Sequence, residues 1–175
     1  NIIPMVDTSG SMESDDCIPL YNAIGLGLRV SEKTHDAFKN RILTFDANPT
    51  WIQLNENQSF VEKVGVVRKS SWGMNTDFES AYELILDKAK LHKVDPKSMP
   101  TMLLVLSDMQ FDESQSNGWE KDMPHFEHMK VLYKEAGYKF PKLVFWNLDA
   151  QPGTPARCSD KNVGMVCGFS PSIMK

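Results

Sequence analysis

Asp7, Ser9 and Ser11 alternate along the segment Asp7-Thr8-Ser9-Gly10-Ser11, directly after the apolar run Ile2-Ile3-Pro4-Met5-Val6. A buried strand ending in such a segment puts one carboxylate and two hydroxyls on a single tight loop. These are hard oxygen donors of low total charge, a set that suits Mg²⁺ better than Ca²⁺ or Zn²⁺. Two later segments are placed to complete the same site. Gly73-Met74-Asn75-Thr76-Asp77 offers a further hydroxyl at Thr76, and Leu103-Leu104-Val105-Leu106-Ser107-Asp108 is an apolar strand that ends in a second carboxylate at Asp108.

Each of these residues also has a plainer role open to it. Ser9-Gly10-Ser11 can be a turn and helix cap. Thr76 can cap the helix that follows, with Glu79 three residues on as the other half of a capping box. Asp108 can be a loop residue, and Asp77 and Asp112 are nearby carboxylates that fit either a supporting role or a surface loop. Met12, Met74 and Met109 each fall on one of the three loops, where they either form a soft apolar rim or pack into the core, the core being the commoner fate; Trp72 has the same two readings. His125 and His128 share a helix with Asp122, but a lone i, i+3 pair without cysteines more often belongs to a solvated face. Gly25-Leu26-Gly27 lies inside a helix and lacks a third glycine, so it is not a dinucleotide fingerprint.

An Asp after the first strand, with Mg²⁺ and a further Asp, also describes phosphotransferases that use an aspartate nucleophile. Those need a second carboxylate two residues on, where this chain has Ser9, and a Lys near the phosphoryl group, which no motif here places. Nor does the sequence contain a nucleophile elbow, a P-loop or a His-based triad. The expectation is a binding module and not an enzyme.

The elements that must position these residues alternate between strand and helix. Residues 2–6, 41–45, 51–54, 101–107, 142–148 and 163–167 read as strands, and 17–31, 59–67, 77–92 and a segment from Phe126 to Ala136 as helices. The near-continuous apolar character of the first strand suits a mostly parallel sheet covered on both faces. The turn Asp46-Ala47-Asn48-Pro49 makes the second and third strands a hairpin, hence one antiparallel edge strand. Ala23, Gly25 and Gly27 would let the first helix pack closely on the sheet. Asn117-Gly118 ends a loop, 149–162 is a polar loop, and a further helix is expected from Pro171. In such α/β folds ligands bind beyond the carboxyl ends of the strands, where the strand order reverses.

The 175 residues fit one domain, and 23 acidic against 19 basic side chains give no support for a broad nucleic-acid or membrane surface. The three cysteines, Cys17, Cys158 and Cys167, are an odd number and read as free thiols in a reducing compartment. No stretch reaches the length of a transmembrane helix, and no signal peptide is visible. The chain reads as a C-terminal fragment cut from a longer protein.

Taken together, Asp7-x-Ser9-x-Ser11, Thr76 and Asp108 resemble the metal-ion-dependent adhesion site (MIDAS) of von Willebrand factor A (vWA) domains, in the family's order and over essentially the whole chain. Thr76-Asp77 is most similar to intracellular members such as the Ro ribonucleoprotein autoantigen. Ser107-Asp108-Met109-Gln110-Phe111-Asp112 and Gly168-Phe169-Ser170-Pro171-Ser172 resemble uncharacterised proteins of plants and large DNA viruses that carry this domain near their C-terminus. The resemblance implies a doubly wound six-stranded sheet of order 3-2-1-4-5-6, and so a switch point between the first strand and the strand at 101–107. It implies direct coordination of Mg²⁺, with Mn²⁺ or Ca²⁺ as alternatives, by Ser9, Ser11 and Thr76. Asp7 and Asp108 would act through coordinated waters, and an open position would take an Asp or Glu carboxylate from a protein partner. Direct nucleic-acid or membrane binding by this domain is not expected. The implied setting is intracellular: cytoplasm, a viral particle or the cytoplasm of an infected cell. A structural role in a ribonucleoprotein or viral assembly is the alternative. Two departures stand out: Met109 replaces the Gly that often follows the family's last Asp, and Gly73-Met74-Asn75-Thr76 replaces a common Gly-Gly-Thr.

Overall fold

Among the described residues the strands pair in the order β3-β2-β1-β4-β5-β6, and of these pairs only β2–β3 is antiparallel. In the computed structural model the described residues are 1–70, 76–109, 125–148 and 163–168. The strands are β1 (Ile2–Val6), β2 (Arg41–Thr44), β3 (Trp51–Gln53), β4 (Met102–Ser107), β5 (Lys142–Asn147) and β6 (Val163–Cys167). Among the described residues the helices are α1 (Ser14–Ser31), α2 (Phe60–Arg68), α3 (Phe78–Leu91) and α4 (His125–Glu135). The expected doubly wound α/β architecture, with its antiparallel edge, is the one observed. No described helix is long and apolar enough to cross a membrane. Asn117-Gly118, the 149–162 loop and the helix expected from Pro171 lie outside the described residues.

Side chains on a strand alternate between faces, and here that alternation divides the interior in two. Ile3, Met5, Leu103, Val105, Leu143 and Phe145 point to the side where Tyr82 and Ile85 of α3 and Met129 and Tyr133 of α4 complete one core. Val6, Ile42, Leu104, Leu106 and Trp146 point to the other side, where Leu20, Ile24 and Leu28 of α1 and Val67 of α2 complete the second. Both faces of β1 and β4 are therefore buried, which is why their sequences are runs of apolar residues instead of alternating ones.

Local signals fix the helix ends. Ser59 caps α2 through a full capping box with Glu62, and Gly137, at φ 79°, follows α4 where a left-handed residue is needed. The first helix follows its expected range closely, and its start is unusual. Its turn at Asp15, Asp16 and Cys17 has left-handed backbone, at φ 47°, 55° and 63°, so regular right-handed geometry begins only at Ile18. Pro19 then falls in the first regular turn, where its missing N–H costs nothing.

The two glycines of α1 do different work. A Cβ on Gly27 would lie 2.5 Å from Val6 Cγ2, whereas one on Gly25 would meet nothing within 4 Å. Only Gly27 lets α1 approach β1. Gly27→Ala is therefore expected to destabilise the fold by about 1–3 kcal/mol through overpacking. Gly25→Ala should be neutral or stabilising by up to about 1 kcal/mol, as for Gly→Ala within a helix. Urea unfolding of the two variants side by side checks this; equal effects would remove the close-approach argument.

Candidate functional site

Because β1, β2 and β4 are parallel, their carboxyl ends lie on one edge of the sheet, and the order β2-β1-β4 puts Asp7 and Asp108 at neighbouring strand ends. The β1–β4 register runs from Ile2 opposite Met102 to Val6 opposite Leu106, and the Asp7 N–H continues the ladder by donating to the Leu106 carbonyl at 3.0 Å. Asp7 therefore emerges beside Ser107. Asp7, Ser107 and Asp108 are all buried.

Asp7 is held from two directions. The Ser9 N–H donates to its Oδ1 at 2.8 Å, and the Ser107 hydroxyl donates to its Oδ2 at 2.7 Å. The first contact is the Asx turn that shapes the loop. Ser9 stands at the start of a 3₁₀ turn, Gly10–Glu13, but its side chain makes no capping bond. Its Oγ lies instead 3.1 Å from Ser11 Oγ. The helix-cap role open to this segment in the sequence is thus not the one adopted, and the two hydroxyls converge.

Asp108 follows β4, and its N–H donates to the Met12 sulfur at 3.1 Å. Met12 is fully buried in the core under α1. It therefore packs inward, joining the loop after β1 to the loop after β4, and is no part of an exposed rim. Met109 is half-buried against the other core and has φ 59°. Methionine thus stands where the backbone adopts a conformation that glycine favours, a cost of about 1–2 kcal/mol. Its N–H donates to Ser107 Oγ at 3.0 Å.

Thr76 does not cap α3. Asp77 does, its carboxylate accepting from the Ser80 N–H at 3.1 Å and from the Ser80 hydroxyl at 2.7 Å. The Asp77 N–H donates to the Asp46 carbonyl at 3.3 Å, which ties this segment to the end of β2. Thr76 is left with a buried hydroxyl oxygen that has no hydrogen-bond partner among the described residues. Such an atom carries a desolvation cost that nothing among the described residues returns.

The structure brings Asp7, Ser9, Ser11 and Asp108 to one end of the β1–β4 pair and sets Thr76 at the same edge, beside the end of β2. Among the described residues no three His, Cys, Asp or Glu side chains gather into a possible metal cluster. A zinc centre or a carboxylate cage for calcium is thus not what the described residues build. Two carboxylates and three hydroxyls, one of them orphaned, fit a small hard cation that retains several waters. His128 is exposed; the side chain of His125, and Asp112, Asp122, Trp72 and Met74, lie outside what is described. Sequence reading missed Ser107. Its one signal there is a hydroxyl closing an otherwise apolar strand.

The family described as "Domain of unknown function (DUF7788)" matches residues 1–175. The chain is 35% identical, over 177 residues, to "Uncharacterized protein L728" of Acanthamoeba polyphaga mimivirus; the match covers all of this chain and 30% of the viral protein. Among solved structures, the crystal structure of the Deinococcus radiodurans RO (RSR) protein superposes with a TM-score of 0.59 at 15% identity, covering 98% of this chain and 32% of that one. The chain therefore spans about a third of the length of either protein, and the second likeness concerns the fold alone, a vWA-like one.

The geometry at Thr76 and Asp77 separates stability from binding. In metal-free protein Thr76→Val should leave stability unchanged or raise it by up to about 1 kcal/mol, since it removes an unsatisfied buried oxygen. Asp77→Ala should cost about 1 kcal/mol through the lost cap. Thermal unfolding in the presence of a chelator checks both; a clear loss of stability in Thr76→Val would show that its hydroxyl is satisfied.

Proposed function

We propose that this chain, which belongs to the DUF7788 family, is a divalent-metal-dependent protein-binding module whose cation accepts an acidic residue of a partner. One observation carries the reading: Ser9 and Ser11 hydroxyls converge beside a buried Asp7 whose two oxygens are both occupied by protein donors. The neutral hydroxyls of Ser9, Ser11 and Thr76 would hold Mg²⁺, or Mn²⁺ or Ca²⁺ in its place, with Asp7 and Asp108 acting at one remove through water. The bound cation would supply an electrophilic centre whose charge is only partly offset. Few direct negative ligands leave it with affinity for an external Asp or Glu carboxylate, while the surrounding carboxylates keep the protein neutral enough to bury the site.

The same geometry weighs against catalysis by Asp7. A carboxylate accepting hydrogen bonds at both oxygens is a poor nucleophile, and the residue two positions on is Ser9. Phosphatase turnover abolished by Asp7→Asn would reverse this ranking. An intracellular setting accords with Cys17 and Cys167, which form no disulfide among the described residues. The match to a mimivirus protein favours one second reading, in which the module is a structural part of a larger viral or ribonucleoprotein assembly. RNA binding by this chain alone, weakening with salt as phosphate contacts do, would favour that reading over a purely protein partner.

Calorimetric titration of Mg²⁺ and Mn²⁺ into metal-stripped protein tests the site. Binding is expected in the wild type and at least about 10–100-fold weaker in both Thr76→Val and Asp108→Ala, in line with the cost of removing ligands and their supports. Glutamate or an acidic peptide should tighten the metal, and the metal the peptide, by the same factor. Absence of binding with or without the carboxylate would sink the metal reading.

A further inference from the structure

Ser107 is the one fully buried polar side chain that touches both metal-site loops among the described residues. Its hydroxyl has a single proton, which goes to Asp7 Oδ2 at 2.7 Å, because a carboxylate has none to give in return. Its oxygen meanwhile accepts the N–H of Met109 at 3.0 Å, in the loop that carries Asp108. With the Ser9 N–H on Oδ1 at 2.8 Å, both ends of the Asp7 carboxylate are anchored to the chain.

This anchoring bears on the choice of cation. Ca²⁺ takes six to eight oxygens and readily uses a carboxylate through both of them, whereas Mg²⁺ takes six in near-octahedral array and keeps several waters. A carboxylate held at each oxygen by a protein donor is ill disposed to turn both toward an ion. We infer that Ser107 is a positioning residue that sets the cation preference of the site, by keeping Asp7 from serving as a two-oxygen ligand. The inference rests on the metal-binding reading above and adds to it a named determinant of selectivity. It also accounts for a hydroxyl at the end of a strand whose other inward positions are apolar.

The test is calorimetric titration of Mg²⁺ and of Ca²⁺, each alone, into metal-stripped wild type, Ser107→Ala and Ser107→Cys. Circular dichroism confirms the fold, and the near-isosteric Cys variant carries the measurement if the Ala variant does not fold. Relative to wild type, the ratio of Ca²⁺ to Mg²⁺ affinity is expected to rise about tenfold in Ser107→Ala, the lower end of supporting-residue effects, and by less in Ser107→Cys, whose thiol is a weak donor. In the metal-free Ala variant the Met109 amide should also exchange faster with solvent. Equal weakening of both ions, or an unchanged ratio, overturns the inference while leaving the metal site intact. Failure of the wild type to bind either ion, with glutamate present as well as without it, overturns both.

Discussion

β1 and β4 lie side by side in register from Ile2 and Met102 to Val6 and Leu106. That pairing aligns two strand ends so that Asp7 and Ser107 meet, and Ser107 in turn fixes the loop of Asp108. It also lies at the point where the strand order turns from β2 on one side to β5 on the other. In folds of this kind the crossovers on either side of such a point leave in opposite directions, and it is there that ligands bind. The site thus owes its location to topology and its chemistry to what each strand carries one or two residues past its last apolar position.

Two kinds of contact then hold the loops. Polar ones are short and directional: Ser9 N–H and Ser107 Oγ–H on Asp7, Met109 N–H on Ser107. Apolar ones supply the support beneath them. Met12 is buried below the serine loop and receives the Asp108 N–H on its sulfur. Arg68 of α2 lies over the Tyr21 ring, donates to its hydroxyl at 2.8 Å and approaches Glu13 at 3.6 Å. These last contacts are exposed and worth little individually, but they join the end of the serine loop to the α1–α2 pair. Rigid support of this kind is what a site needs if its ligands are neutral hydroxyls with little charge of their own to organise them.

The architecture was largely legible because it depends on parity and on punctuation, both local. β1 is a run of five apolar residues ending at Asp7, and β2 and β3 are separated by Asp46-Ala47-Asn48-Pro49. The strand order was not in those patterns; it came from the resemblance carried by Asp7, Ser9, Ser11, Thr76 and Asp108. What the sequence left open fell where two residues offered the same local chemistry. Thr76 and Asp77 are both good caps, and only the packing of α3 against the end of β2 decides that Asp77 takes the role. The left-handed turn at Asp15, Asp16 and Cys17 has no glycine to announce it. Ser107 looked like the end of a strand, since its importance lies in a neighbour 100 residues away.

The division of the interior by strand parity has a consequence for how such chains can change. Substitution within a strand must respect face and volume, so volume-conserving apolar swaps are tolerated best, and the fold is shared with the Deinococcus protein at 15% identity. Insertion or deletion is another matter. One residue added within β1 would turn Ile3 and Met5 toward the opposite core and rotate Asp7 away from Ser107 at the same stroke. Lengthening is therefore confined to the connections, and lineages of this fold should differ in loop length while keeping each strand's reading frame fixed.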